Sequence, residues 1–275
     1  MAEVRFSFEG SVVLVSGAAR GIGRAIVKCF ADAGADIVAV DRDEKGLRET
    51  ESMVSRAITC EAVDIRDRDA VQALISRIGE RHGRLDICVN NAAVAPHEGL
   101  LEYRESLWET IYDVNCKGTF LMTQAAAALM IRAGAAGRII NFSSAAALKG
   151  GQGGAGYASS RAATEAFTRV AAMELAPHGI LVNAVRPGLI DTQPKPLPPV
   201  MKKRLESRIP TLPLQRAGRP DEVAQVVLFL ASPLSTYMTG SVVTVDGGSS
   251  VGTFSDRKIV DEDSRYFWFS APEHP

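Results

Sequence analysis

Seven short runs rich in β-branched residues recur along this chain, each followed by a stretch with helical spacing. They are Val12 to Ser16, Asp36 to Val40, Ala57 to Val63, Leu85 to Asn90, Arg138 to Ser143, Ile180 to Val185 and Ser241 to Val245. A helix between successive strands carries the chain back to the edge it left, so the strands run parallel and the helices cover both faces. The expected fold class is α/β: a doubly wound seven-stranded parallel sheet with helices on both faces, formed as one domain over residues 1–275. No internal repeat interrupts this order.

Two helices are legible in detail. In the first, Ile22, Ala25, Ile26, Cys29, Phe30 and Ala33 fall on one stripe that should lie on the sheet, and Gly34 ends it. Another starts at Pro220, where a fixed φ and the acidic Asp221 and Glu222 suit a helix N-terminus, with Val223, Val226, Val227 and Leu230 as its buried side.

Composition narrows the function classes. The formal net charge is -1 with 23% charged residues, so no bulk electrostatic partner is implied and nucleic acid is not an expected ligand. The four cysteines, Cys29, Cys60, Cys88 and Cys116, are widely spaced, which suits neither a zinc site nor a disulfide framework; they read as core thiols, and no metal is expected. Residues Met1 to Gly10 lack the apolar run of a signal peptide and no stretch is long enough to span a bilayer, so the expectation is a cytoplasmic protein without a membrane partner.

After the first strand comes Ser16-Gly17-Ala18-Ala19-Arg20-Gly21-Ile22-Gly23, opening directly into a helix. Glycines there permit a tight turn, let the backbone approach a pyrophosphate, and leave helix N–H groups facing the phosphates. A lone glycine triplet is weak evidence, but strand, triplet and helix in register point to dinucleotide binding on a Rossmann fold. Asp41 ends the second strand, eighteen residues past Gly23, where a carboxylate can accept from ribose hydroxyls and repel a 2′-phosphate. That favours NAD; Arg20 and Arg42 support the alternative, NADP.

With these residues in view, the chain resembles the short-chain dehydrogenase/reductase family from about Gly10 to Gly248. The glycine turn matches, as do Asp64 after the third strand and Asn90-Asn91-Ala92-Ala93 after the fourth, close to the family's Asn-Asn-Ala-Gly. Asn115 matches a helix asparagine that the family uses to hold a water, Ser144 lies thirteen residues before Tyr157, and Pro187-Gly188 with Thr192 matches a loop that contacts the nicotinamide. The resemblance implies a cofactor site of Gly17, Arg20, Gly21, Ile22, Gly23, Asp41, Asp64, Ile65, Asn91, Ala92, Tyr157, Arg161, Pro187, Gly188, Ile190 and Thr192. It implies a catalytic set of Ser144, Tyr157, Arg161 and Asn115, and hydride transfer between the nicotinamide and a small alcohol or ketone.

One position departs from the family. Where relatives carry Tyr-x3-Lys, this chain has Tyr157-Ala158-Ser159-Ser160-Arg161. Residues i and i+4 share a helix face, so Tyr157 and Arg161 still point together. Arginine keeps the charge and the donors, but its guanidinium is wider, planar and never deprotonated, so a relay through an amine is lost. The expected outcome is an active dehydrogenase with turnover reduced or supported by water at Asn115; the alternative is a cofactor-binding protein with little turnover.

Two segments break the strand-helix alternation. Residues 187–213 are expected to cover the substrate, and Lys195, Lys202, Lys203, Arg204 and Arg208 would suit an anionic one. His97, alone in the loop after Asn91, receives no role from sequence. The tail, residues 249–275, carries Tyr266-Phe267-Trp268-Phe269, which would be costly to leave in water. The resemblance implies a homotetramer, with this tail docked on a neighbouring subunit.

Overall fold

The β-branched runs form the strands of one sheet in the computed structural model, which describes residues 6–192 and 199–253. The strands are β1 (Val12–Ser16), β2 (Asp36–Asp41), β3 (Thr59–Ala62), β4 (Ile87–Asn90), β5 (Arg138–Phe142), β6 (Leu181–Pro187) and β7 (Val242–Val245). All pair in parallel, in the order β3-β2-β1-β4-β5-β6-β7. The expected Ala57 to Val63 run shortens to β3 because this edge strand has only β2 to pair with. At the other side β6 runs on to Pro187, held there by register with Val245.

Eight α-helices connect the strands among the described residues: α1 (Gly21–Asp32), α2 (Glu44–Ser52), α3 (Arg68–His82), α4 (Glu105–Tyr112), α5 (Thr119–Arg132), α6 (Ala155–Leu175), α7 (Pro199–Arg208) and α8 (Pro220–Ala231). Because side chains alternate along a strand, Val13 and Val15 point to one face while Val12 and Leu14 point to the other. The first face packs on α1 and α8 through Ile26, Phe30, Val223 and Val227. The second packs on α3, α5 and α6 through Leu74, Ile78, Met122, Met130 and Ala172. Fully burying each such side chain contributes about 1.5–3 kcal/mol, so the two layers hold the sheet rigid between them.

The α1 stripe is centred slightly away from its expected position. Ile26 and Phe30 are fully buried, but Val27 and Ala31 share the core while Ile22, Ala25, Cys29 and Ala33 sit half-buried on the flank. Contact with α8 as well as with the sheet widens the apolar arc. Gly34 ends the helix region with φ +90°, a conformation that favours glycine. All four cysteines are free thiols, but only Cys88 is a true core residue, where burial pushes its thiol up to about 12.

Strand order fixes where a ligand can lie. The chain winds outward from β1 to β3, then returns to build from β4 on the opposite side, so the turns after β1 and β4 diverge and leave a crevice at their carboxyl ends. The residues after Ser16, Asn90, Phe142 and Pro187 all emerge along this edge. No helix among the described residues is long and apolar enough to cross a membrane. The aromatic cluster at 266–269 and Lys195 lie outside the described residues.

Candidate active site

The glycine turn is built by missing side chains. Gly17 has φ +69°, and a Cβ there would stand 2.7 Å from both Ala92 Cα and Asn91 Nδ2. At Gly23 a Cβ would fall 2.0 Å from the Gly17 carbonyl oxygen, so neither position tolerates even alanine without movement. Asn91 clamps the turn onto β4: its Nδ2 donates to the carbonyls of Ser16 and Gly17, both at 3.0 Å. The Ala92 N–H adds a bond to Ser16 Oγ at 3.2 Å.

Helix α1 begins at this turn with its amides open to a ligand. Arg20 occupies the N-cap in extended conformation, no side chain caps the helix, and its first turn holds no acidic residue. Free N–H groups and the positive end of the helix dipole make that an anion site. Asp41 sits beside it: Oδ2 accepts from Ala19 N at 3.1 Å and Oδ1 from Asp43 N at 3.0 Å. Arg20 and Arg42 are exposed on either side.

Further along the edge, Asp64 accepts from Arg66, whose guanidinium holds its carboxyl below the usual carboxylate range despite partial burial. Ile65 is buried, with its side chain against Gly118. On the other side of the crevice, Gly188 lets the chain pass Asp246, since a Cβ there would come within 2.6 Å of Asp246 Cα. Ile190 bridges to Gly218, and Thr192 arches back over the glycine turn, its Cβ 3.2 Å from where a Gly21 side chain would begin. The turn after β1 and the loop after β6 are thus in contact across the crevice.

Ser144, Tyr157 and Arg161 converge at the end of β5. Ser144 caps a short 3-10 turn, Ala145–Ala147, its Oγ accepting from Ala146 N at 3.2 Å. Tyr157 stands in the first turn of α6 and Arg161 one turn later, with the guanidinium carbon 5.2 Å from the phenol ring centroid. Burial pushes the Tyr157 phenol up, but the Arg161 charge and hydrogen bonds from Ser144 and Arg161 outweigh it and hold the phenol below its ordinary value of 10.0. Arg161 is 3% exposed; Nη1 donates to the Phe142 carbonyl at 2.7 Å, and its Nε is buried without a hydrogen-bond partner.

Asn115 belongs to a π-helical turn, Asp113–Gly118, set between α4 and α5. Its Oδ1 accepts from Val94 N at 2.9 Å, and its Nδ2 donates to Val94 O and to Ser160 Oγ, each at 3.0 Å. The side chain therefore ties the loop after β4 to the helix that carries Tyr157. This explains a helix asparagine that propensity alone does not.

Sequence reasoning missed the support beneath these groups. Glu165, one turn beyond Arg161, pairs with Arg186 of β6 at 2.7 Å and accepts from Ser143 Oγ at 2.5 Å. Burial alone would raise the Glu165 carboxyl, but the bonds from Arg186 and Ser143 prevail and lower it. The i+4 spacing of Tyr157, Arg161 and Glu165 was the available signal; the partner in β6 was not. Arg66 was missed for a similar reason, since only the bend after β3 turns it onto Asp64.

A nicotinamide dinucleotide fits this edge. The glycine cradle and uncapped α1 amides suit a diphosphate, and the unpartnered, buried Nε of Arg161 supplies a donor beside Tyr157. Comparison with known proteins agrees. The family model described as Enoyl-(Acyl carrier protein) reductase matches residues 17–250. A 3-oxoacyl-[acyl-carrier-protein] reductase FabG of Thermotoga maritima is 38% identical over 245 residues, 87% of this chain and 98% of that protein. The 2-dehydro-3-deoxy-D-gluconate 5-dehydrogenase of Escherichia coli is 34% identical over 88% of this chain and 96% of its own length. Among solved structures, a short-chain type dehydrogenase/reductase from Mycobacterium marinum superposes with a TM-score of 0.83 at 33% identity, covering 88% of this chain and 96% of that one. With its sheet order, its glycine turn and these relatives in agreement, the chain belongs to the short-chain dehydrogenase/reductase family of oxidoreductases, which bind a nicotinamide cofactor.

Proposed function

We propose that the protein is an NAD(H)-dependent oxidoreductase that moves a hydride between nicotinamide and a secondary alcohol or ketone. The observation that carries this reading is the Tyr157 phenol, lowered by Arg161 and Ser144 at the end of a dinucleotide crevice. A hydroxyl so placed can give a proton to a substrate oxygen in reduction and take it back in oxidation. The bound cofactor supplies or accepts the hydride. Ser144 donates to the same substrate oxygen, Arg161 stabilises the phenolate from one turn further along α6, and Asn115 fixes the first turns of α6 through Ser160.

In this reading the amides of Gly21, Ile22 and Gly23, with Arg20 alongside, hold the diphosphate; Asp64, Ile65, Asn91 and Ala92 border the adenosine half. Pro187, Gly188, Ile190 and Thr192 border the nicotinamide. NAD is preferred to NADP because Asp41, fixed by the Ala19 and Asp43 amides, opposes a 2′-phosphate. The names of the relatives, an oxoacyl reductase and a sugar-acid dehydrogenase, support interconversion of a carbonyl and a hydroxyl. Residues 187–213 are the proposed substrate cover, supported by the contact of Thr192 with Gly21. Assembly as a homotetramer completes the proposal.

A second reading rests on one contact. Arg161 spends Nη1 on the Phe142 carbonyl, so a protein that binds cofactor with little turnover is the alternative. Steady-state nicotinamide absorbance against a panel of ketones and alcohols, with Arg161→Lys in parallel, separates the two. Turnover by the parent protein is the expected result. Turnover by the lysine variant alone would favour the second reading, and none by either protein would overturn the first.

A further inference from the structure

We propose that Arg186 is a positioning residue: through Glu165 and Ser143 it aligns the groups that move the proton with the loop that borders the nicotinamide. This rests on the proposed hydride transfer, in which proton and hydride must reach one substrate within a single turnover. Three chain segments supply the parts. Tyr157 and Arg161 come from α6, Ser144 from the end of β5, and Pro187, Gly188, Ile190 and Thr192 from the end of β6 and the loop after it.

One carboxylate meets all three. Glu165 lies on α6 eight residues beyond Tyr157, and among the described residues it is the only buried acid. Its Oε1 accepts from Ser143 Oγ at 2.5 Å and from Arg186 Nε at 2.8 Å, and its Oε2 accepts from Arg186 Nη2 at 2.7 Å. Ser143 immediately precedes Ser144, and its amide donates to Val185 O at 2.8 Å, so it is fixed to β6 by main chain and to α6 by side chain. Arg186 immediately precedes Pro187. Its Nη1 donates to Thr244 Oγ1 of β7 at 3.0 Å, and two residues later Gly188 N donates to Val245 O at 2.9 Å. The guanidinium fork therefore holds the root of the loop after β6 against the helix that carries the phenol.

The sheet does not need this pair. β5, β6 and β7 are already joined by parallel ladders that run to Phe142 and Val185 on one side and to Pro187 and Val245 on the other. Desolvating two charges offsets much of their attraction, and apolar side chains of similar volume can hold such a position as well. What a two-pronged pair adds is direction, since two nitrogens must face two oxygens, and this fixes α6 relative to β6. Misplacement of reacting groups by about 1 Å can slow transfer by about 100-fold. Arg186 makes and breaks no bond in the reaction; it acts through the groups that Glu165 and Ser143 hold.

A charge-neutral double substitution, Glu165→Gln with Arg186→Gln, removes the fork without stranding either charge. Oxidation of an alcohol that the parent turns over, with hydrogen or deuterium on the carbinol carbon, is followed by nicotinamide absorbance across a pH series. In the double variant kcat should fall by at least about tenfold with both KM values within a few fold, and the deuterium isotope effect on kcat should rise. The acid limb should stay in place, because Arg161 and Ser144 still flank Tyr157. Arg186→Lys, which keeps the charge but not the fork, should lie between parent and double variant. Calorimetric NAD stoichiometry counts competent sites, so that kcat is expressed per folded molecule. Parent-like kcat and isotope effect in the double variant would overturn the proposal, as would a loss accounted for by fewer competent sites, which would make the pair purely structural. Either result leaves the hydride-transfer reading standing, whereas a parent protein without turnover would remove that reading and this proposal with it.

Discussion

The two halves of the crevice are made of different material. At the α1 end, the crevice wall is main chain: glycines that cannot carry a side chain, amides without caps, and an asparagine that bonds to carbonyls. At the α6 end it is side chain: a phenol, a guanidinium and a hydroxyl, held by a buried ion pair one turn deeper. Backbone surfaces are fixed by sterics, so the first half accepts almost no substitution. Side-chain surfaces are tuned by their neighbours, so the second half is set by which groups stand together, as Arg161 and Ser144 do beside Tyr157.

That contrast is broken most directly at Tyr157. Tyr157→Phe should lower kcat by about 1,000-fold while leaving NAD affinity within a few fold, because the backbone proposed to hold the cofactor is untouched. A comparable loss of affinity in this variant would mean that the halves are not separable. Next in size is Glu165→Ala, which strands Arg186 at a position only 13% exposed and should cost about 3 kcal/mol in urea unfolding. Because the Glu165 carboxyl is lowered in the folded protein, its contribution is present above the unfolded carboxylate value. It is lost as pH falls through the folded value, so the stability gap between parent and variant should close in acid.

Smaller effects sharpen the comparison. In Arg161→Gln the charge that lowers Tyr157 is gone and burial still raises it, so the acid limb of the oxidation rate should move to higher pH. A limb that stays in place would assign it to another group. Asp41→Asn should shift the NADP to NAD preference by about tenfold, read from the ratio of kcat/KM values, with little effect on stability.

The same division governs what could be read from sequence. The parallel sheet and the glycine turn are local: strand periodicity, a triplet in register and a following helix occupy one continuous stretch, so Val12–Ser16 coincides with the expected run and α8 begins at the expected Pro220. Tyr157 and Arg161 were legible together because i+4 spacing on one helix is also local. What could not be read depends on distant chain segments. Glu165 meets Arg186 only because β6 lies against α6, and Asn115 meets Val94 across a π-helical turn. The α1 stripe is wider than its spacing predicts for the same reason, since α8 arrives from the far end of the chain and brings Val27 and Ala31 into the core.

Calorimetric titration of NAD into the parent protein and into Gly23→Ala tests most directly whether main-chain amides at the start of α1 hold the coenzyme. The account predicts saturable binding by the parent and a loss of at least about 100-fold in the variant, whose added methyl would collide with the Gly17 carbonyl. Absence of binding of either NAD or NADP to the parent at millimolar concentration, or equal affinity in the two proteins, would contradict it.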